Sequence, residues 1–291
     1  MILRSFLAAA GLFLLYNVAL QSSALRQRAV VQSQWQGNLL KAQEYPLAKL
    51  PRRNVIVGSS LAARLVMEGD FENLAFAGDG PLTGLELMVR DVSAPRVVLI
   101  ESNLLLREVN QDVIASAYRP GFLKLRPMLP ALEDRYQFAN LAVGMVGEGM
   151  VAKALEGGRR LLRSPQSAGA SAEDAGRLLQ MNLAIQREKL GTAPDADFVQ
   201  QCIARMKRAV AELQGRGVRC IFVEMPIDAS LGGLLQPALV REQLAAALPE
   251  LAWIRPEVGR SYRTVDGVHL PKDEAVAYAA YIRAELLRLG F

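Results

Sequence analysis

Histidine occurs once in the 291 residues and cysteine only twice. That scarcity excludes the zinc sites built from clustered Cys and His, and no spacing of carboxylates identifies another ligand set. No metal and no cofactor are therefore expected. Cys202 falls on a predicted helix and Cys220 on the strand that follows it. About twelve further helical residues, at about 1.5 Å each, carry the chain away from Cys202 before it turns back. The two sulfurs are then too far apart for a disulfide, and both read as buried free thiols. Basic stretches interleaved with aromatics are also missing, so the net charge of +5 does not point to nucleic acid. The densest basic run, Arg159-Arg160 with Arg163, reads as solvated surface, suited at most to anionic glycans or lipid heads.

Acidic residues are absent before Glu44, and the start of the chain is correspondingly apolar. An apolar run extends from Phe6 to Leu20, broken only by Gly11 and Asn17. A full span needs about 20 residues, so the run reaches that length only with its flanks, to about residue 25. Three readings stay open: an uncleaved signal anchor, a signal peptide cleaved near Ser22-Ser23-Ala24, or a buried helix. Arg4 on one side and Arg26 and Arg28 on the other leave the orientation undecided by charge. Either of the first two readings puts the body of the protein outside the cytoplasm.

Half the residues are apolar and 22% are charged, enough for a full hydrophobic core. Residues 26–53 are polar and helix-compatible and read as a stalk, with Arg52 and Arg53 solvated or facing lipid. The folded body, 54–291, opens on a strand at Asn54–Val57, followed by helix over Leu61–Met67. Further strands are predicted at Asn73–Phe76, Arg96–Glu101, Val218–Glu224 and Leu251–Ile254. Helices fit Gly84–Val92, Asp197–Gln214, Pro237–Leu248 and Lys272–Leu289. The rhythm breaks over residues 104–195, a helical insertion with a small-residue linker at Ser164–Ala172. Within it, Phe138–Leu155 carries Glu148 and Lys153, which disfavours a second membrane span. Continuously apolar strands alternating with helices predict a parallel sheet in a three-layer α/β/α sandwich. Ligands of such sheets bind beyond the carboxyl ends of the strands.

Polar clusters fall at those ends. Ser59-Ser60 follow the first strand, Gly78-Asp79-Gly80 the second, and Glu101-Ser102-Asn103 the third; Asp266-Gly267-Val268-His269 precedes the last helix. A serine hydroxyl needs a base, histidine titrates near neutrality, and an aspartate three residues earlier can orient its ring. Ser60, His269 and Asp266 are therefore the candidate nucleophile, base and orienting acid. The backbone N–H groups of Ser60 and Gly78 and the Asn103 amide are candidate oxyanion donors. Asp79 reads as a turn residue. Glu101 either lines the site or caps its strand.

In this order, Gly-x-Ser, Gly, Asn and Asp-x-x-His, the chain resembles the SGNH (GDSL-like) hydrolases over residues 54–103 and 197–291. The resemblance implies a flavodoxin-like sandwich, Ser60 as nucleophile, Gly78 and Asn103 in the oxyanion hole, and Asp266 and His269 completing the triad. Two departures stand out: Ser59 replaces the aspartate of Gly-Asp-Ser, and Glu-Ser-Asn replaces Gly-x-Asn-Asp. With its N-terminal anchor and insertion, the chain is similar to the membrane-anchored branch that modifies envelope polymers. Members include the alginate and cellulose O-acetylation proteins and the teichoic acid D-alanine transfer protein. That likeness implies a serine O-acyltransferase or esterase on a cell-envelope polysaccharide, with a membrane-bound O-acyltransferase as partner. It further implies a single-pass anchor in a bacterial inner membrane and a periplasmic body. Two alternatives stay open: a catalytically silent, polymer-binding or scaffolding subunit, and a lipid-directed esterase or thioesterase.

Overall fold

Three of the five strands take their place from short apolar runs, mostly β-branched or aromatic, that a two-sided sheet buries. The computed structural model describes residues 2–31, 33–47, 54–67, 69, 71–91, 94–119, 121–143 and 172–291. Its strands are β1 (Asn54–Val57), β2 (Phe71–Asn73), β3 (Val97–Glu101), β4 (Arg219–Val223) and β5 (Ala252–Ile254). All pair in parallel, in the order β2-β1-β3-β4-β5, so the chain reverses its direction of travel across the sheet between β1 and β3. This is the flavodoxin-like order, whose switch point is the crevice where ligands bind.

The chain divides into two compact units, Met1–Leu47 with Ala115–Ala170, and Ala48–Ile114 with Ser171–Phe291. The sheet lies in the second unit. Ile56, Leu99, Ile221 and Ile254 form one apolar cluster with Tyr278, Ile282 and Leu286 of the C-terminal helix, Lys272–Arg288. The helices Pro81–Val89 and Ala196–Gly215 pack on each other and on β1 and β4. At Gly84 the first of these comes so close to β1 that an added Cβ would stand 2.8 Å from Val57 Cγ1. The last strand is short, and the fully buried β3 ends on Glu101, whose side chain has no exposed surface.

Local differences from the expected elements have physical causes. The second strand is assigned over Phe71–Asn73, yet Leu74 N–H still donates to Ile56 O (2.8 Å) and Phe76 N–H to Gly58 O (2.9 Å). The apolar signal of Leu74–Phe76 marks its buried continuation; Phe71–Asn73 is half-buried and includes Glu72. The helix expected over Leu61–Met67 is a single 3-10 turn, Ala62–Arg64. Asn73 Nδ2 donates to the carbonyls of Ala62 (2.9 Å) and Leu65 (3.0 Å), which a continuing helix would have used itself. The next helix starts at Pro81 rather than Gly84, since proline suits the first helical position.

The expected insertion, 104–195, is shared between the two units. Its last part forms the helix Ala172–Gly191 in the second unit; the Ser164–Ala172 linker lies, save Ala172, outside the described residues. Residues 138–143 are helical, while the rest of the Phe138–Leu155 tract, the Arg159–Arg163 run and Arg52-Arg53 are outside the description. In the first unit, the helix Ile2–Ala19 is long and apolar enough to cross a membrane, about 27 Å at 1.5 Å per residue. Its one buried side chain, Asn17, accepts a hydrogen bond from Ala131 N–H (3.1 Å), and Leu20 packs with Tyr136 and Leu141. The residues expected as a stalk include an eleven-residue helix, Gln34–Glu44. Its Gln43 bonds Asp134 and its Glu44 pairs with Arg135 in the same unit.

Candidate active site

The turn after β1 is built around glycine. A Cβ on Gly58 would lie 2.5 Å from Glu101 Oε2 and 2.7 Å from the Ala62 Cβ, so no larger residue fits. Ser59 is wholly buried, and Ser60 emerges next, half-buried at the rim. The loop before the last helix is shaped by Gly267, at φ +93°, a conformation that side-chain-bearing residues rarely adopt. A Cβ there would meet Leu183 Cδ2 at 2.7 Å. Leu183 and Leu190 of the Ala172–Gly191 helix, with Leu231, pack around Val268 and support this loop from below. Val265 N–H donates to His269 O (2.9 Å), Asp228 N–H to Gly267 O (2.7 Å) and Arg64 Nη1 to Leu270 O (3.1 Å).

These two loops bring Ser60, His269 and Asp266 into one chain of hydrogen bonds. His269 Nδ1 lies 2.7 Å from Asp266 Oδ2, and His269 Nε2 lies 2.8 Å from Ser60 Oγ. With Nδ1–H donating to the carboxylate, Nε2 is left to accept the Ser60 proton. Asp266 Oδ1 also takes the backbone N–H groups of His269 (2.9 Å) and Val268 (3.2 Å). Burial pushes the Asp266 carboxyl up, but the bonds from the His269 ring and backbone outweigh it and hold the group below its ordinary value. The arrangement suits transfer of a proton from a serine hydroxyl to imidazole.

Among the described residues, no acceptor faces the Ser60 or the Gly78 backbone N–H, which leaves both free for an incoming oxyanion. Gly78 sits at φ +90°, and its carbonyl is held by Arg107 Nη1 (2.6 Å). The Asn103 amide is clamped by Met225: Nδ2 donates to Met225 O (2.9 Å) and Oδ1 accepts from Met225 N–H (2.6 Å). One of its two amide hydrogens stays available. Gly78 and Asn103 border a groove of about 470 Å³ that continues past Asp79, Arg107, Lys189 and Gln236. Asp79 closes its turn through Asp79 N–H to Phe76 O (3.1 Å) and accepts from Asn110 Nδ2 (3.1 Å). Burial, only partly opposed by Asn110 and Arg107, pushes its carboxyl up.

Glu101 is the residue whose part the sequence leaves undecided. Its hydrogen bonds go not to the Ser60 or His269 side chains but to the backbone and Ser59 hydroxyl of the nucleophile turn. It accepts from Ser59 N–H (2.7 Å), Ala62 N–H (3.2 Å) and Ser59 Oγ (2.8 Å to Oε1, 2.9 Å to Oε2). Complete burial pushes this carboxyl up, against the pull of those bonds. The contribution of Leu183 and of the Met225 clamp carries no sequence signal, because both reach the site from distant segments.

The thiols of Cys202 and Cys220 are free and buried. Burial pushes Cys220 up to about 12 and raises Cys202 as well. No group of three or more His, Cys, Asp or Glu capable of holding a metal occurs among the described residues. A scan against protein-family models finds none that matches this chain, and a search of curated proteins likewise returns no match.

Proposed function

We propose that this chain is a membrane-anchored serine O-acyltransferase or esterase that adds acyl groups to, or removes them from, a cell-envelope polysaccharide. The observation that carries the reading is the Ser60–His269–Asp266 chain of hydrogen bonds at the strand ends beside the switch point. Ser60 Oγ attacks the ester carbonyl carbon while His269 Nε2 takes its proton, and Asp266 stabilises the imidazolium that forms. The oxyanion of the tetrahedral intermediate is met by the Ser60 and Gly78 N–H groups and the remaining Asn103 amide hydrogen. Collapse returns the proton from His269 to the leaving alcohol and leaves the acyl group on Ser60. An acceptor hydroxyl, or water, then attacks the acyl carbon as His269 takes its proton, and collapse breaks the bond to Ser60 Oγ as His269 returns that proton to it.

The mixed polar lining of the groove at Gly78 and Asn103 favours a hydroxylated acceptor over a long alkyl chain. The apolar helix Ile2–Ala19 supports a single-pass anchor, here assigned to a bacterial inner membrane with the body in the periplasm. A membrane-bound O-acyltransferase delivering the acyl group is the partner this placement calls for.

The test is covalent labelling of the detergent-solubilised full chain with a fluorophosphonate, comparing wild type with Ser60→Ala and His269→Ala. Labelling of the wild type that vanishes in both variants is the expected result. A folded wild type that does not label would sink the serine chemistry and leave the silent, polymer-binding subunit as the better reading.

A further inference from the structure

We infer that Glu101 is a positioning residue whose carboxylate fixes the nucleophile turn, leaving the Ser60 N–H free and its hydroxyl aligned with His269. Ser60 is the one residue between the two backbone donors that Glu101 holds closest, Ser59 N–H at 2.7 Å and Ala62 N–H at 3.2 Å, apart from Leu61. Leu61 N–H is occupied by Ser59 Oγ (3.1 Å), and that hydroxyl is itself held by the same carboxylate. Every backbone N–H from Ser59 to Ala62 except that of Ser60 is thereby tied, directly or through Ser59, to one side chain. The free one is the N–H that an oxyanion needs.

The cost of this arrangement shows that the fold is organised around it. A carboxylate with no exposed surface loses its hydration, and only several well-aligned donors offset that loss. Gly58 is cut back to a hydrogen to admit it, its absent Cβ falling 2.8 Å from the Glu101 Cβ. The two departures from the familiar Gly-Asp-Ser and Gly-x-Asn-Asp patterns, at Ser59 and Glu101, face each other across this contact. They amount to one exchange, in which β3 supplies the carboxylate that the nucleophile turn lacks.

The single histidine makes a direct test possible, because the two ring nitrogens of His269 give the only imidazole ¹⁵N signals of the full chain. The assignment rests on Ser60 being the nucleophile, but this readout does not require activity. In Ser60→Ala the Nε2 signal loses its hydrogen-bonded position. In Glu101→Met, which nearly keeps the volume but offers the Ser59 and Ala62 N–H groups no carboxylate oxygen, Nε2 moves toward the Ser60→Ala value. The Nδ1 signal, set by Asp266, stays at its wild-type position; a general loosening of the fold would move both. In ester hydrolysis the same variant lowers kcat by about 10²-fold with KM unchanged, the scale of a misplacement near 1 Å. A folded Glu101→Met protein with wild-type Nε2 overturns the assignment. Should that variant not fold, Ser59→Ala decides: an intermediate Nε2 displacement supports it and a wild-type signal overturns it. Absence of phosphonate labelling in the wild type refutes the serine chemistry separately and leaves the Nε2 comparison readable.

Discussion

Replacing Asp266 by Asn tests the orientation of the histidine with almost no change in volume. Asp266 Oδ1 holds two backbone N–H groups, of His269 and Val268, while Oδ2 holds His269 Nδ1 at 2.7 Å. The asparagine must keep its oxygen on the two backbone donors, which turns its NH₂ toward Nδ1. Two donors then face each other unless the imidazole shifts its proton to Nε2. That tautomer points an N–H at Ser60 Oγ, 2.8 Å away, and has no lone pair there to take the hydroxyl proton. The expected loss in kcat is about 10⁴-fold, or about 5.4 kcal/mol of barrier. Stability changes much less, because a single charge-assisted bond is worth only about 1.5–3 kcal/mol. The assay is the initial rate of hydrolysis of p-nitrophenyl acetate by the full chain in detergent, with fluorophosphonate labelling in parallel and thermal unfolding as the control. A folded Asp266→Asn protein that keeps more than a tenth of the wild-type rate would refute the reasoning, since the base would then work without its orienting carboxylate.

Gly267→Ala forces a side chain into a φ of +93° and against Leu183, and its melting temperature should fall by an amount corresponding to about 1–3 kcal/mol. Its labelling rate should drop with it, as the loop carrying His269 shifts; an unchanged melting temperature would contradict the packing described. Because the Asp266 carboxyl is depressed in the folded chain, its contribution to stability is present above the ordinary carboxylate range and is lost as pH falls through the folded value. Chemical denaturation between pH 6 and pH 2 should therefore show an acid-side decline that is shallower in Asp266→Asn, and parallel curves would argue against it. Neither Cys202 nor Cys220 should react with Ellman's reagent in the native chain, whereas both should react in denaturant, because burial raises both thiols and shields them. Deleting residues 2–19 should move the chain from the carbonate-washed membrane pellet to the soluble fraction; retention in the pellet would mean another segment holds it there.

The sequence by itself determined the α/β class, the parallel sheet and the apolar N-terminal helix, because each is written in a local pattern. Buried strands show as unbroken runs such as Val97–Ile100, and the membrane-length helix shows as a stretch without acidic residues. The candidate residues were legible for a related reason: a parallel sheet puts the turns after neighbouring strands at one edge, so Ser60, Gly78 and Asn103 follow from strand order alone. One misplaced element, the helix expected past Arg64, was cut short by a side chain from the next strand, when Asn73 took the carbonyls that would have extended it. Only the tertiary structure decided that His269 meets Ser60 across 209 positions of sequence, and that Leu183 from the irregular 104–195 stretch supports the loop that carries it. It also decided the part of Glu101, which in one dimension is simply an acid at the end of an apolar strand. Its partners lie about forty residues earlier, and a hydrogen bond to a buried carboxylate depends on the path of the backbone, which no composition or spacing records.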